Sequence, residues 1–244
     1  MVTVERAALA VVREPAVEIV IPVNNEERDL ERSVRRLRAY LDACFPFHTT
    51  ITVADYASTD ATHDIGGRLA ADIEGVRYMR ISDRGRGRAI AAAWLTSRAD
   101  VLVHIAGDPS AHVEALLPLV APVASRHSDV AVGIRVKGDF ESRAYNSFLK
   151  VVFSARFVDR HSRLTALRGD VARRLVPQVE DRDGFFDTEL LVLAERAGLR
   201  IHEVPIEWDV TPGVAPSLRE VAGVWRVMRR RRDGRLKVMT ADGA

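Results

Sequence analysis

The chain has 244 residues, 47% of them apolar and 29% charged, which suits one large domain able to bury a core. Its formal net charge is only +2, so it lacks the global basic field that would argue for a nucleic-acid partner. The single cysteine, Cys44, excludes an internal disulfide framework and fits a reducing compartment.

Residues 1–16 read as a flexible lead without the basic start and clean apolar stretch of a secretory leader. No run is apolar for long enough to read as a membrane span. Val17–Val23 is β-branched and almost wholly apolar, the pattern of a buried strand. Asn24-Asn25-Glu26-Glu27 then reads as a helix cap followed by acids in the first turn. Leu30, Val34, Leu37, Leu41 and Cys44 recur at helical spacing, which places Cys44 on the core face, and Pro46 ends that helix. A second strand spans 50–54 and runs into the polar turn Asp55-Tyr56-Ala57-Ser58-Thr59-Asp60. A weaker helix containing Gly66 and Gly67 leads to a third strand, Val76–Ile81. Asp83-Arg84-Gly85-Arg86-Gly87-Arg88 then opens a helix over 89–97.

The apolar run 101–106 reads as a buried parallel strand, and Asp108 follows its carboxyl end, where open α/β sheets bind ligands. A helix over 113–125 holds Pro118 and Pro122, which predict a kink or a split. Next come a strand at 130–135, a helix over 139–158 carrying Tyr145, Phe148, Val152 and Phe153, and a short strand at 164–167. Helices follow at 170–176 and 185–197. The alternation of Ile201, Val204, Ile206 and Trp208 reads as an edge strand. Pro212 and Gly213 mark a break. The tail over 218–232 sets Leu218, Val221, Trp225 and Met228 on one helical stripe, with Arg219, Arg226, Arg229 and Arg230 elsewhere. The whole predicts an α/β fold with a mostly parallel sheet and helices on both faces.

Seven blocks carry a resemblance: Ile-Pro-Val-Asn-Asn-Glu-Glu (21–27), Asp-Tyr-Ala-Ser-Thr-Asp (55–60), Arg-Gly-Arg-Gly-Arg-Ala (84–89), Val-Gly-Ile-Arg (132–135), Ser-Arg-Ala-Tyr-Asn (142–146), Phe-Phe-Asp-Thr-Glu-Leu-Leu (185–191) and Glu-Val-Pro-Ile (203–206). Together and in this order they closely resemble family 2 glycosyltransferases. The nearest branch is the polyprenyl-phosphate (dolichyl-phosphate) glucosyl- and mannosyltransferases. The resemblance spans roughly 17–209 and implies a Rossmann-like GT-A domain over 17–212, with 213–244 as a basic amphipathic tail. It implies hexosyl transfer from a UDP- or GDP-hexose to polyprenyl phosphate, a Mg or Mn ion, and a cytoplasmic protein, peripheral at the membrane face.

The same resemblance assigns roles. Pro22, Asn24, Glu26 and Asp55 would hold the nucleoside. Arg84, Gly85, Gly87 and Arg88, with Arg86, would meet the diphosphate. Asp108 would be the metal ligand and donor contact. Arg135, Lys137 and Arg143 would bind the acceptor phosphate, and Asp108, Asp159 and Asp187 are the catalytic candidates. Several residues have plainer readings. Asp55 and Asp108 could cap helices, Asp159 could form a surface ion pair, and Gly-x-Gly could be a tight turn. Phe185 and Phe186 read as core, whereas Asp187 has no evident packing use. The tail could dock on the domain or lie on an anionic bilayer.

The departures fall on ligand-facing blocks. The family's Asp-x-Asp is Ala106-Gly107-Asp108, which leaves one carboxylate for a hard cation that wants several oxygens. His104 could supplement it only if the strand stayed regular through Asp108. The usual Asp-Asp-Gly-Ser is Asp55-Tyr56-Ala57-Ser58, without the second acid and the turn glycine. Three readings follow: a transferase that neutralises the diphosphate mainly with arginines, a pseudoenzyme that binds nucleotide, lipid phosphate or a partner, and a scaffold recruited to another small-molecule reaction.

Overall fold

The computed structural model describes residues 14–109, 112–135, 164–206 and Arg229. The expected helix over 139–158, residues 1–13 of the lead and the tail apart from Arg229 lie outside them. In chain order the elements are β1 (Val17–Val23), α1 (Leu30–Cys44), β2 (Thr49–Tyr56), α2 (Thr62–Asp72), β3 (Val76–Ile81), α3 (Arg86–Thr96) and β4 (Val101–Ile105). A 3-10 turn (Val113–Ala115) then runs into α4 (Leu116–Ala124), followed by β5 (Val130–Arg135), β6 (Leu164–Arg168), α5 (Gly169–Leu175), α6 (Phe186–Arg196) and β7 (Ile201–Ile206).

The strands form one seven-stranded sheet in the order β3-β2-β1-β4-β6-β5-β7. β1 pairs parallel with β2 and β4, β2 with β3, and β5 with β7. β6 runs antiparallel to both neighbours. β7 closes one edge, as its alternating pattern predicts.

Alternation along each strand divides the core in two. Ile19, Ile21, Ile51, Val53, Val103 and Ile105 face α1, α2 and α4, where Leu37, Leu69 and Leu119 meet them. Val20, Ala54, Leu102 and Val132 face α3, α5 and α6, where Trp94, Val171 and Phe186 meet them. Burial on both faces is why β1 and β4 read as continuous apolar runs.

Three local readings change. Cys44 is exposed rather than core. Its helix ends there, and Phe45, which has already turned to extended backbone, fills the buried position instead. Glu26 and Glu27 precede α1, which starts at Leu30, so they are loop residues rather than first-turn acids. The prolines do split the helix after β4: Val113–Ala115 is 3-10, Pro118 sits in the first turn of α4, and Pro122 lies inside it.

The loop after β2 keeps a turn that its sequence makes costly. Ala57 has φ +60°, and its N–H donates to Ile81 O at 2.9 Å. An L-residue with a Cβ pays roughly 1–2 kcal/mol in this left-handed region. Replacing Ala57 by Gly therefore raises stability by about 0.5–1 kcal/mol, after the entropy glycine loses on folding, readable as a higher urea midpoint at unchanged slope. Gly87→Ala does the opposite, since an added Cβ would lie 2.5 Å from Phe186 Cβ; overpacking of this kind costs about 1–3 kcal/mol.

Candidate active site

Strand order reverses between β1 and β4, and the crevice beyond their carboxyl ends is where such sheets bind ligands. Loops after β1 and β2 meet there and are stitched together. Asn24 Nδ2 donates to Tyr56 O (2.8 Å), Asn25 N–H to Ser58 Oγ (2.9 Å) and Glu26 N–H to Thr62 Oγ1 (2.8 Å). In return Thr59 N–H donates to Asn25 Oδ1 (2.8 Å) and Ala61 N–H to Glu27 Oε2 (3.0 Å). Asn25 takes φ +57° to make these bonds, a conformation asparagine tolerates better than most residues. Thus the side chains of Asn24, Asn25 and Glu27 and the backbone of Asn25 and Glu26 serve the neighbouring loop.

Asp55 is fully buried. Its Oδ1 accepts from Ser58 N–H (3.0 Å) and its Oδ2 from the Tyr78 hydroxyl (2.6 Å). His63 Nδ1 lies 3.0 Å from that hydroxyl. Because Tyr78 spends its proton on Asp55, His63 is the donor in this pair. Burial and the Asp55 carboxylate hold the Tyr78 phenol above its usual range.

Asp108 follows Gly107, which has φ +87°, and its Oδ1 accepts from Ser33 Oγ of α1 at 2.9 Å. Glu26 is close enough to feel it. Partial desolvation, then the charges of Asp29, Asp60 and Asp108, raise the Glu26 pKa. His104 points to the other face of the sheet, so the strand does not bring His104 and Asp108 together as a metal pair. It is fully buried, with its ring 5.6 Å from that of Trp94.

The Gly-x-Gly stretch is built for close packing. A Cβ on Gly85, which has φ +133°, would lie 2.4 Å from Arg182 O, and Gly87 rests on Phe186. Arg88 N–H donates to Arg182 O at 2.9 Å. These contacts press the start of α3 against the start of α6. There Arg86 donates to Asp187 Oδ2, and His104 Nε2 lies 2.6 Å from Asp187 Oδ1. With the carboxylate ionised, Nε2 carries the proton; Nδ1 has no hydrogen-bond partner among the described residues. Burial opposes the Asp187 charge, but Arg86 and His104 outweigh it and hold the carboxyl far below its usual range.

Asp187 therefore does have a packing use: it is 4% exposed and joins α3, β4 and α6. Sequence reasoning missed this triad because its members lie 83 and 101 residues apart. Phe185 and Phe186 are core, as read, and buried Glu189 accepts from the N–H groups of Glu180 and Asp181. Arg84 and Arg88 are exposed beside the α3 start, and Arg88 pairs with Asp83. Pro22 is buried at the end of β1, with Asn24 and Glu26 just beyond it. Arg135 ends β5 opposite Ile206. Its side chain, and Lys137, Arg143 and Asp159, lie outside what is described.

The described residues do not fit a divalent cation. Ala106 supplies no ligand, Asp108 is held by Ser33, and among the described residues no group of three or more His, Cys, Asp or Glu side chains could hold a metal ion.

Residues 18–174 match the family model for glycosyl transferase family 2. The chain belongs to glycosyl transferase family 2. Glycosyltransferase AglD of Haloferax volcanii is 33% identical over 219 residues, covering 85% of this chain but 35% of AglD; the chain thus spans about a third of that relative. The dolichyl-phosphate beta-glucosyltransferase of Drosophila melanogaster is 26% identical over 80% of this chain and 67% of its own length. Among solved structures, glucosyl-3-phosphoglycerate synthase from Mycobacterium tuberculosis, in complex with Mn2+, uridine diphosphate and phosphoglyceric acid, superposes with a TM-score of 0.66 at 18% identity. That match covers 93% of this chain and 80% of the synthase. It supports the GT-A fold, and the curated relatives place this family 2 member near polyprenyl-phosphate sugar transferases.

The depressed Asp187 pKa fixes the sign of a pH test. Its contribution is complete above about pH 4, the unfolded carboxylate value, and is lost as pH falls toward the folded value. Asp187→Asn lowers stability by about 1.5–3 kcal/mol at neutral pH, because Arg86, whose side chain is 22% exposed, loses its charge-assisted partner. Urea unfolding at a series of pH values should show the gap between variant and wild type narrowing on acidification below about pH 4.

Proposed function

We propose that this chain binds a UDP- or GDP-hexose in the crevice beyond β1, β2 and β4 and transfers the hexose to polyprenyl phosphate at a membrane face. The observation that carries this reading is the convergence of the stitched 24–27 and 55–62 loops, Asp108 and the start of α3 at the carboxyl ends of the strands. The repeated likeness to dolichyl-phosphate beta-glucosyltransferases supports the acceptor class.

The chemistry asked of the protein is modest. A phosphate oxygen of the acceptor attacks the anomeric carbon as the bond to the nucleoside diphosphate breaks. The acceptor is already anionic near neutral pH, so positioning matters more than a strong base. The larger demand is the charge of the departing diphosphate. Arg84 and Arg88, exposed beside the α3 start, are suited to it. On this reading Arg135, Lys137 and Arg143 hold the acceptor phosphate and Asp159 borders it, with residues 17–212 as the catalytic domain. A second reading, a nucleotide-binding protein without turnover, is favoured by Ala106 in the metal motif.

Transfer of radiolabelled glucose from UDP-glucose, or mannose from GDP-mannose, to polyprenyl phosphate tests the proposal. Lipid-linked product is expected, with Arg84→Ala lowering the rate by about tenfold or more. Nucleotide binding without product would favour the second reading, and no nucleotide binding would overturn both. For the tail, liposome binding should weaken with salt and vanish when 218–244 are deleted; binding unchanged by the deletion would remove its membrane role.

A further inference from the structure

Resting on the donor-site reading above, we propose that Tyr56, not Asp55, is the β2 residue that reads the donor base, and that it does so by stacking rather than by accepting a base N–H.

Adjacent residues of a strand point to opposite faces. Asp55 shares a face with Ile51 and Val53, against α1 and α2. It has no exposed surface, and both its oxygens are taken, by Ser58 N–H and by the Tyr78 hydroxyl. The Tyr78 ring is itself seated in a slot that exists because residue 66 is glycine: a Cβ there would lie 2.3 Å from Tyr78 Cδ2. Asp55 is thereby committed to holding the loop and is closed to a ligand.

Tyr56 points the other way, packing beside Ala54 and the α3 face while staying partly exposed. Burial raises its phenol pKa, Arg86 opposes the rise, and Asp183 and Glu26 add to it. Tyr56 thus ends β2 beside the loop after β1, which Asn24 joins to it, with its side chain on the α3 side of the sheet. Its direction is fixed from both sides: Asn24 Nδ2 holds its carbonyl, and the next residue, Ala57, is held at φ +60° by its bond to Ile81 O.

An aromatic ring at the end of a strand offers any base a stacking surface, worth a substantial share of binding and tolerant of base identity. A carboxylate only accepts hydrogen bonds, so it would favour uracil, whose N3 carries a proton, over cytosine, whose N3 is an acceptor. A phenol both donates and accepts and makes no such choice.

Calorimetric titration of the full chain with UDP and CDP tests this. Wild type is expected to bind the two within about threefold of each other, and Tyr56→Phe to keep both affinities. Tyr56→Ala should weaken both by about tenfold or more, and Tyr56→Asp should shift the UDP-to-CDP ratio by about tenfold toward UDP. Asp55→Asn, where it folds, should leave the ratio unchanged while lowering the melting temperature. A wild-type preference for UDP above about tenfold, or Tyr56→Ala binding as wild type does, would overturn the assignment and leave the donor site standing. No binding of either nucleotide to wild type would overturn the donor site and this assignment with it.

Discussion

The buried carboxylate of Asp187 is the interaction on which the site's geometry depends. Taking a carboxylate out of water costs several kcal/mol unless it is paired and hydrogen-bonded. Here one oxygen is met by Arg86 and the other by His104. Those partners come from the first residue of α3 and the fourth residue of β4, while Asp187 is the second residue of α6. One charge therefore ties together three elements from separate parts of the chain. Gly85 and Gly87 permit the approach, since a side chain at either would collide with Arg182 O or Phe186. The start of α3, and the arginines beside it, are set by that junction.

The second organising feature is the seam between the loops after β1 and β2. Backbone groups of each are satisfied by side chains of the other, so the two loops hold each other in place at the end of the sheet. This is preorganisation of the kind a binding site needs. It survives the loss of the family's turn glycine, because Asp55 caps Ser58 and Ile81 O holds the Ala57 N–H. The metal motif was not preserved in the same way. Ala106 supplies no oxygen, and Asp108 bridges instead to Ser33 on α1.

Much of the fold was legible in the residues. β1 and β3 run over the residues their apolar and β-branched patterns indicate, and the prolines split the helix after β4. Cys44 ends the helix where Pro46 implies, but three residues after Leu41 it is exposed, and Phe45, four residues after Leu41, takes the buried position: helical spacing allows either. The site was less legible. Period two sets Asp55 and Tyr56 on opposite faces, but only the pairing of β2 with β3 brings Tyr78 onto Asp55. Likewise Asp187 looked free of packing duties because Arg86 and His104 are distant in sequence. Long-range pairing of charges leaves no local pattern to read.

On the function proposed above, a nucleotide sugar sits beyond the carboxyl ends of β1 and β2, against the start of α3. Amide hydrogen exchange with and without UDP-glucose locates the ligand directly. Slowed exchange confined to 22–27, 55–60 and 84–88 is the expected result. Protection instead in the cavity at the opposite end of the strands, lined by Pro15, Asp100, Arg126, Arg168 and Arg173, would contradict the account.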